Sequence, residues 1–121
     1  MINGELGYSI EKKDNEKKVI ITFDGFTKPD MVEKFLKDYE KLKKSVSVQD
    51  TCLVLNGKTL KVFPQELEEN LAQLYTDYTQ FKKIYIVKPD QIVTKMQIER
   101  ILKAANIKEK FEFINSVDDV K

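Results

Sequence analysis

Three times along this chain a short apolar run is followed by a proline-marked turn and then by residues at helical spacing. Val19-Ile20-Ile21-Thr22-Phe23 leads through Pro29, Cys52-Leu53-Val54-Leu55 through Pro64, and Ile84-Tyr85-Ile86-Val87 through Pro89. Runs of four or five apolar residues bounded by turn signals have the length of buried strands, and the change to a 3.6-residue period marks a helix after each. Repeated strand–helix units place parallel strands in one sheet joined by right-handed crossovers. This alternation narrows the fold class sharply and the function hardly at all.

Ahead of the first unit, residues 6–12 and 17–23 read as two strands. Lys13-Asp14-Asn15-Glu16 between them supplies turn chemistry, so a β-hairpin is expected. Tyr8 and Ile10 alternate with polar neighbours, as on a half-exposed edge strand, whereas the second strand is more continuously apolar and belongs further inside. Asp24-Gly25 ends it. Thr27 is placed as an N-cap with Asp30 three residues on, and Phe26 and Met31 occupy the positions of a hydrophobic staple. The first helix is expected over 28–44, with Val32, Phe35, Leu36, Tyr39 and Leu42 as its stripe and Lys41, Lys43 and Lys44 at its negative end.

The strand over 51–55 is apolar throughout, as in a strand covered on both faces. After the connection 58–63, Pro64 suits a first helical turn, and Glu66, Glu68 and Glu69 suit its positive end. Leu67, Leu71, Leu74, Tyr75 and Tyr78 make the second helix's stripe. A strand over 83–87 follows. Asp90 is placed to cap a third helix with Ile92, Met96, Ile101, Leu102 and Ala105 on its apolar face, and Asn106 to stop it. Phe111-Glu112-Phe113-Ile114 reads as a last strand, and Ser116 with Asp118 and Asp119 as the cap of a helical stub. The predicted fold is therefore one α/β domain over 1–121. It has a mixed, mainly parallel sheet with an N-terminal antiparallel hairpin, helices packed against it, and the order ββαβαβαβ.

That order resembles the STAS domain of bacterial anti-sigma factor antagonists and sulfate-transporter tails. Residues 18–27, Lys-Val-Ile-Ile-Thr-Phe-Asp-Gly-Phe-Thr, look like the family's second strand and the turn after it, and residues 111–120 are similar to its last strand and the start of its last helix. The resemblance implies a non-enzymatic regulatory domain that acts by binding another protein. One departure stands out. Antagonists of this family carry Asp-Ser-(Ser/Thr)-Gly after the third strand, where a partner kinase phosphorylates a hydroxyl, and this chain has Asn56-Gly57-Lys58-Thr59. Thr59 is the only nearby hydroxyl, and the phosphorylation switch does not carry over on the motif.

Composition supports a binding role over a catalytic one. The chain has no histidine, the commonest general base and metal ligand, so neither a histidine triad nor a histidine-metal site is possible. Cys52 sits in an apolar strand and reads as a small core residue, not a nucleophile. Asp24 is the most site-like acid, although a turn aspartate is the commoner explanation. Asn56-Gly57-Lys58-Thr59 follows a strand and precedes a helix, where an anion can bind, yet it lacks the GxxxxGK[ST] spacing of a P-loop. No catalytic, metal or cofactor residue is expected. Lys+Arg is 21 and Asp+Glu 20, without the basic surplus of a nucleic-acid binder. The single cysteine suits a reducing, cytoplasmic setting, Met1–Glu5 lacks the features of a secretory signal, and no run is long enough to span a bilayer.

The connection Lys58–Phe63 is unusually apolar for a loop. The plainer account, favoured because monomers rarely expose large apolar patches, folds Leu60, Val62 and Phe63 over the next helix. The functional account makes Lys58, Thr59, Leu60, Lys61 and Phe63 a protein-binding surface, with the leucine and phenylalanine desolvated and the lysines steering an acidic partner. A different class of function is a small-molecule, lipid or anion site at the C-terminal ends of the parallel strands. Convergent polar groups around Asp24, Asn56 and Lys88 would favour it.

Overall fold

The computed structural model describes residues 8–23, 29–60 and 65–120. Strand β1 (Tyr8–Lys13) pairs antiparallel with β2 (Lys18–Phe23), Tyr8 opposite Phe23 and Lys13 opposite Lys18. Asp14–Glu16 form a single 3-10 turn, and Lys17 closes the hairpin at a φ of 49°. That is the left-handed region, where a side chain costs about 1 kcal/mol. There follow α1 (Pro29–Ser45), β3 (Cys52–Asn56), α2 (Glu68–Tyr78), β4 (Lys83–Val87), α3 (Ile92–Ala104) and β5 (Phe111–Ile114). The five strands lie in chain order, with β1–β2 antiparallel and the other pairs parallel, which is the expected sheet.

Chain order has a geometric result. Each crossover steps to the next strand in the same direction, so right-handed connections deliver all three helices to one face. The packing agrees. Phe35 and Tyr39 from α1, Leu71 and Leu74 from α2, and Ile98 and Leu102 from α3 share one core with Val19, Ile21, Leu53, Leu55, Ile84 and Ile86. The alternate residues face the other way. Ile20, Val54 and Tyr85 are register neighbours across three strands, and with Val87 and Ile114 they form a second buried cluster on which Val117 and Val120 pack. The uninterrupted apolar run of β3 thus serves two faces, as such runs do.

Helix α1 is held by an aromatic chain: Phe35 meets Tyr8 and Phe23 edge-on and stacks on Tyr39, which meets Tyr78 of α2 edge-on. Tyr8 reaches across and donates to the Asp38 carboxylate. Among the described residues the buried hydroxyl of Tyr78 makes no hydrogen bond, and that of Tyr39 makes none of good geometry although it interacts with Asp77. Asp77 lies close by, but its two oxygens accept from Lys43 Nζ at 2.8 Å and Gln80 Nε2 at 2.7 Å. Burial, with the Asp77 charge added, holds both phenols well above their ordinary range.

The helix ends follow their sequence signals. Asn106 stops α3 at a φ of 61°, its N–H bonding the Lys103 carbonyl while the Ile107 N–H bonds that of Leu102, both at 3.0 Å. Ser116 forms a capping box with Asp119 over the 3-10 turn Val117–Asp119. Other expectations need correction. Leu36 lies outside the α1 stripe, with 39% of its surface exposed. A 3-10 turn, Gln65–Leu67, precedes α2, so the α-helix proper begins only at Glu68. Cys52 is half-exposed at the first position of β3, where Lys18 and Lys83 are its register neighbours, and is not a core residue. Asp24, Phe26, Thr27, Lys61, Val62, Phe63 and Pro64 lie outside the described residues, as do the side chains of Asp30, Met31 and Glu66. Among the described residues no helix is long and apolar enough to cross a membrane.

Candidate functional site: the Lys58 turn and the outer face of α3

The parallel strands β2, β3 and β4 end on one side of the sheet, and the segment after β3 ties those ends together. Asn56 Oδ1 accepts from the Lys58 N–H at 3.4 Å, and the Leu60 N–H bonds the Gly57 carbonyl at 3.0 Å, so the chain turns at once. Thr59 Oγ1 donates to the Phe23 carbonyl at the end of β2, at 3.3 Å. The Lys58 carbonyl accepts the Asp90 N–H at 2.9 Å, just ahead of α3. One turn thereby spans from β2 to the start of α3.

The turn faces inward at one residue. Leu60 has 4% of its surface exposed and belongs to the main core, and it folds back over Gly57. A Cβ on Gly57 would sit 2.5 Å from Leu60 Cδ1 and 3.1 Å from its Cγ, so glycine is what lets the leucine lie there. Leu60 therefore supplies no exposed contact area, as the favoured account of this connection expected and contrary to the functional one. Of the five residues expected to bind a partner, Lys58 and Thr59 are exposed on this turn, Leu60 is core, and Lys61 and Phe63 fall outside the described residues.

The exposed apolar surface lies next door. Ile92 is 74% exposed, Val93 62% and Met96 61%, all in the first turns of α3. Thr94 and Gln97 take the inward positions with Ile98, Ile101 and Leu102. The assignment of Ile92 and Met96 to the buried face is therefore overturned. The N-cap is Gln91, whose Oε1 accepts from Thr94 Oγ1 at 3.5 Å, and not Asp90.

Burial of Ile98, Ile101 and Leu102 sets this rotation of the helix, and polar contacts flank it on both sides. Glu68, at the start of α2, accepts from Gln97 Nε2 at 3.0 Å and from the Arg100 guanidinium. On the other flank Lys95 bonds Glu99 at 3.1 Å and lies over the Phe113 ring at 5.4 Å, while Lys108 reaches Glu99 at 3.5 Å. The Lys95 hydrogen bond, with Lys108 behind it, holds the Glu99 carboxyl below the usual carboxylate range. Gripped on both flanks, α3 turns Ile92, Val93 and Met96 outward.

The opposite end of the sheet is less suited to a ligand. A depression of about 210 Å³ is lined by Lys13, Lys17, Lys18, Ser45, Ser47 and Thr51 among others. Its hydroxyls are already engaged: Ser45 with the Leu42 carbonyl, Thr51 with that of Ser47, and Ser47 with Asp50. Lys13 and Lys18 are paired with Glu11 and Glu16. It also lies at the C-terminal, negative end of α1, which disfavours an anion. Among the described residues no three metal-ligating side chains of the His/Cys/Asp/Glu type lie together.

Compared with known proteins, the chain matches no family model, no curated protein sequence and no solved structure. The five-stranded α/β arrangement is compatible with the STAS-like layout.

Proposed function

We propose that this chain is a regulatory or adaptor domain of STAS-like type that acts by binding another protein, without catalysis of its own. The observation that carries the reading is the exposed triad Ile92, Val93 and Met96 beside the exposed, internally braced turn at Lys58 and Thr59. An apolar group that the fold leaves in water, on a helix clamped to keep it there, has the character of an interaction site. The strand-end polar groups support a ligand site less well. Asn56 Oδ1 is taken by its own turn, and the Lys88 N–H by the Ile114 carbonyl at 2.9 Å. The single free cysteine suits a reducing, cytoplasmic setting.

The test is crosslinking in a lysate of the source cells followed by mass spectrometry, with wild type against Val93→Asp and Lys58→Glu. The expected result is a protein recovered in near-stoichiometric amount by wild type and lost from both variants at an unchanged thermal midpoint. A co-purifying small molecule seen by native mass spectrometry, with no captured protein that depends on these residues, would overturn the reading.

A further inference from the structure

We infer that the outward face of α3 receives an acidic, amphipathic segment of a second protein. The inference rests on the protein-binding reading above and names the partner's chemistry.

At about 100° per residue, Ile92, Met96 and Lys103 fall in one narrow stripe on the side of α3 away from the sheet. The stripe changes character along its length, apolar in the first two turns and basic in the last. Along its second half Met96, Glu99, Arg100, Lys103 and Ala104 bound a nearly flat, open patch of the helix surface. The first four stand at positions i, i+3, i+4 and i+7, the four corners of the hole that accepts a side-chain knob when helices pack.

Charge selects the occupant. Arg100 is satisfied by Glu68, and Glu99 by Lys95 and Lys108. Lys58, Lys88 and Lys103 have no ion pair among the described residues, and neither do the acids Asp90, ahead of α3, and Glu109, in the turn after it. Free lysines thus stand on the chain at both ends of α3: Lys58, whose carbonyl holds the Asp90 N–H just ahead of the helix, with Lys88 before it, and Lys103 in the last turn. A matching segment carries two or three apolar residues at helical spacing with carboxylates on both sides, so that burial supplies contact and charge sets register and encounter rate. A second copy of this chain matches poorly. Antiparallel pairing over the full helix lays the apolar half of α3 on the partner's basic half, and parallel pairing sets Lys103 against Lys103.

The experiment is selection from a random-peptide display library on the full chain. Enriched peptides are expected to carry apolar residues at i and i+4 flanked by Asp or Glu. Their affinity should fall roughly tenfold or more in Met96→Asp, as for a central apolar contact, and weaken with salt. Lys103→Glu should weaken them, and exchanging one peptide glutamate for lysine should restore binding to that variant. Unchanged melting curves confirm that both variants fold. Enrichment of basic or neutral peptides, no enrichment, or binding indifferent to Met96→Asp overturns the inference. So does Met96-dependent self-association in sedimentation equilibrium, or Met96-dependent pelleting with phosphatidylcholine–phosphatidylglycerol vesicles. If selection fails while the crosslinked protein is still lost from Val93→Asp, the partner chemistry falls and the protein-binding reading stands. If both fail, both fall.

Discussion

Helices α1 and α3 lie on the same face of the same sheet and use their apolar residues in opposite ways. In α1, Val32, Phe35, Tyr39 and Leu42 all turn inward. In α3, Ile98, Ile101 and Leu102 turn inward, but Ile92, Val93 and Met96 turn out while Thr94 and Gln97 occupy buried positions. Among the described side chains of α1, burial explains every large apolar one except Leu36. It explains the second half of α3 and not the first, where the sequence places more apolar side chains than the core takes up. Under the protein-binding proposal, this surplus is the contact surface.

The contrast is broken or sharpened by mutation, beginning with the largest effect. Phe35→Ala in α1 should cost about 3–5 kcal/mol by cavity formation, and Leu60→Ala about 2–5 kcal/mol. Chemical denaturation measures both, and a small loss for Leu60→Ala would mean that the turn is not anchored in the core. Gly57→Ala is expected to cost about 1–3 kcal/mol because it overpacks against Leu60. Tyr78→Phe removes a buried hydroxyl that has no partner among the described residues, and should raise stability by about 1 kcal/mol. If it destabilises instead, that hydroxyl is bonded in solution.

Acid provides a test of the clamp on α3. Because Glu99 is held below its ordinary range, its contribution is present above the unfolded carboxylate value of about 4.3 and fades as pH falls through the lower folded value. Glu99→Gln should therefore flatten the acid limb of the melting-temperature profile. An identical profile in the variant would show that the Lys95 and Lys108 contacts contribute nothing to stability. The smallest effect belongs to Ile92→Ser, within about 0.5 kcal/mol, as for exposed positions generally. A loss like that of Phe35→Ala would put Ile92 in the core and end the contrast between the two helices.

Much of the architecture was legible because its signals are local. The apolar runs, the polar hairpin turn, Asn106 and the Ser116–Asp119 box each act within a few residues, and each appears where the pattern placed it. The rotation of α3 was not legible in the same way. Nine residues at about 100° put Ile101 on the opposite side from Ile92, so the helix carries two apolar stripes and not one. The stripe that meets the sheet is the one carrying Ile98, Ile101 and Leu102, and Glu68 holds Gln97 and Arg100 beside it through contacts made 29 and 32 positions along the chain. Glu68 read simply as charge suited to a helix start. Leu60 posed the same difficulty in reverse, since only the fold-back over Gly57 distinguishes a core leucine from an exposed one.

The order of the strands also bears on how the molecule is made. No strand has to be inserted between two already paired, because each joins the edge left by the one before it. A chain emerging from the ribosome can therefore extend its sheet one unit at a time, with every pairing between sequence neighbours and the loop-closure cost confined to one crossover. The apolar edge of β4 then waits for only α3 and a short turn before β5 covers it. Little of the sheet is left open to another chain during synthesis.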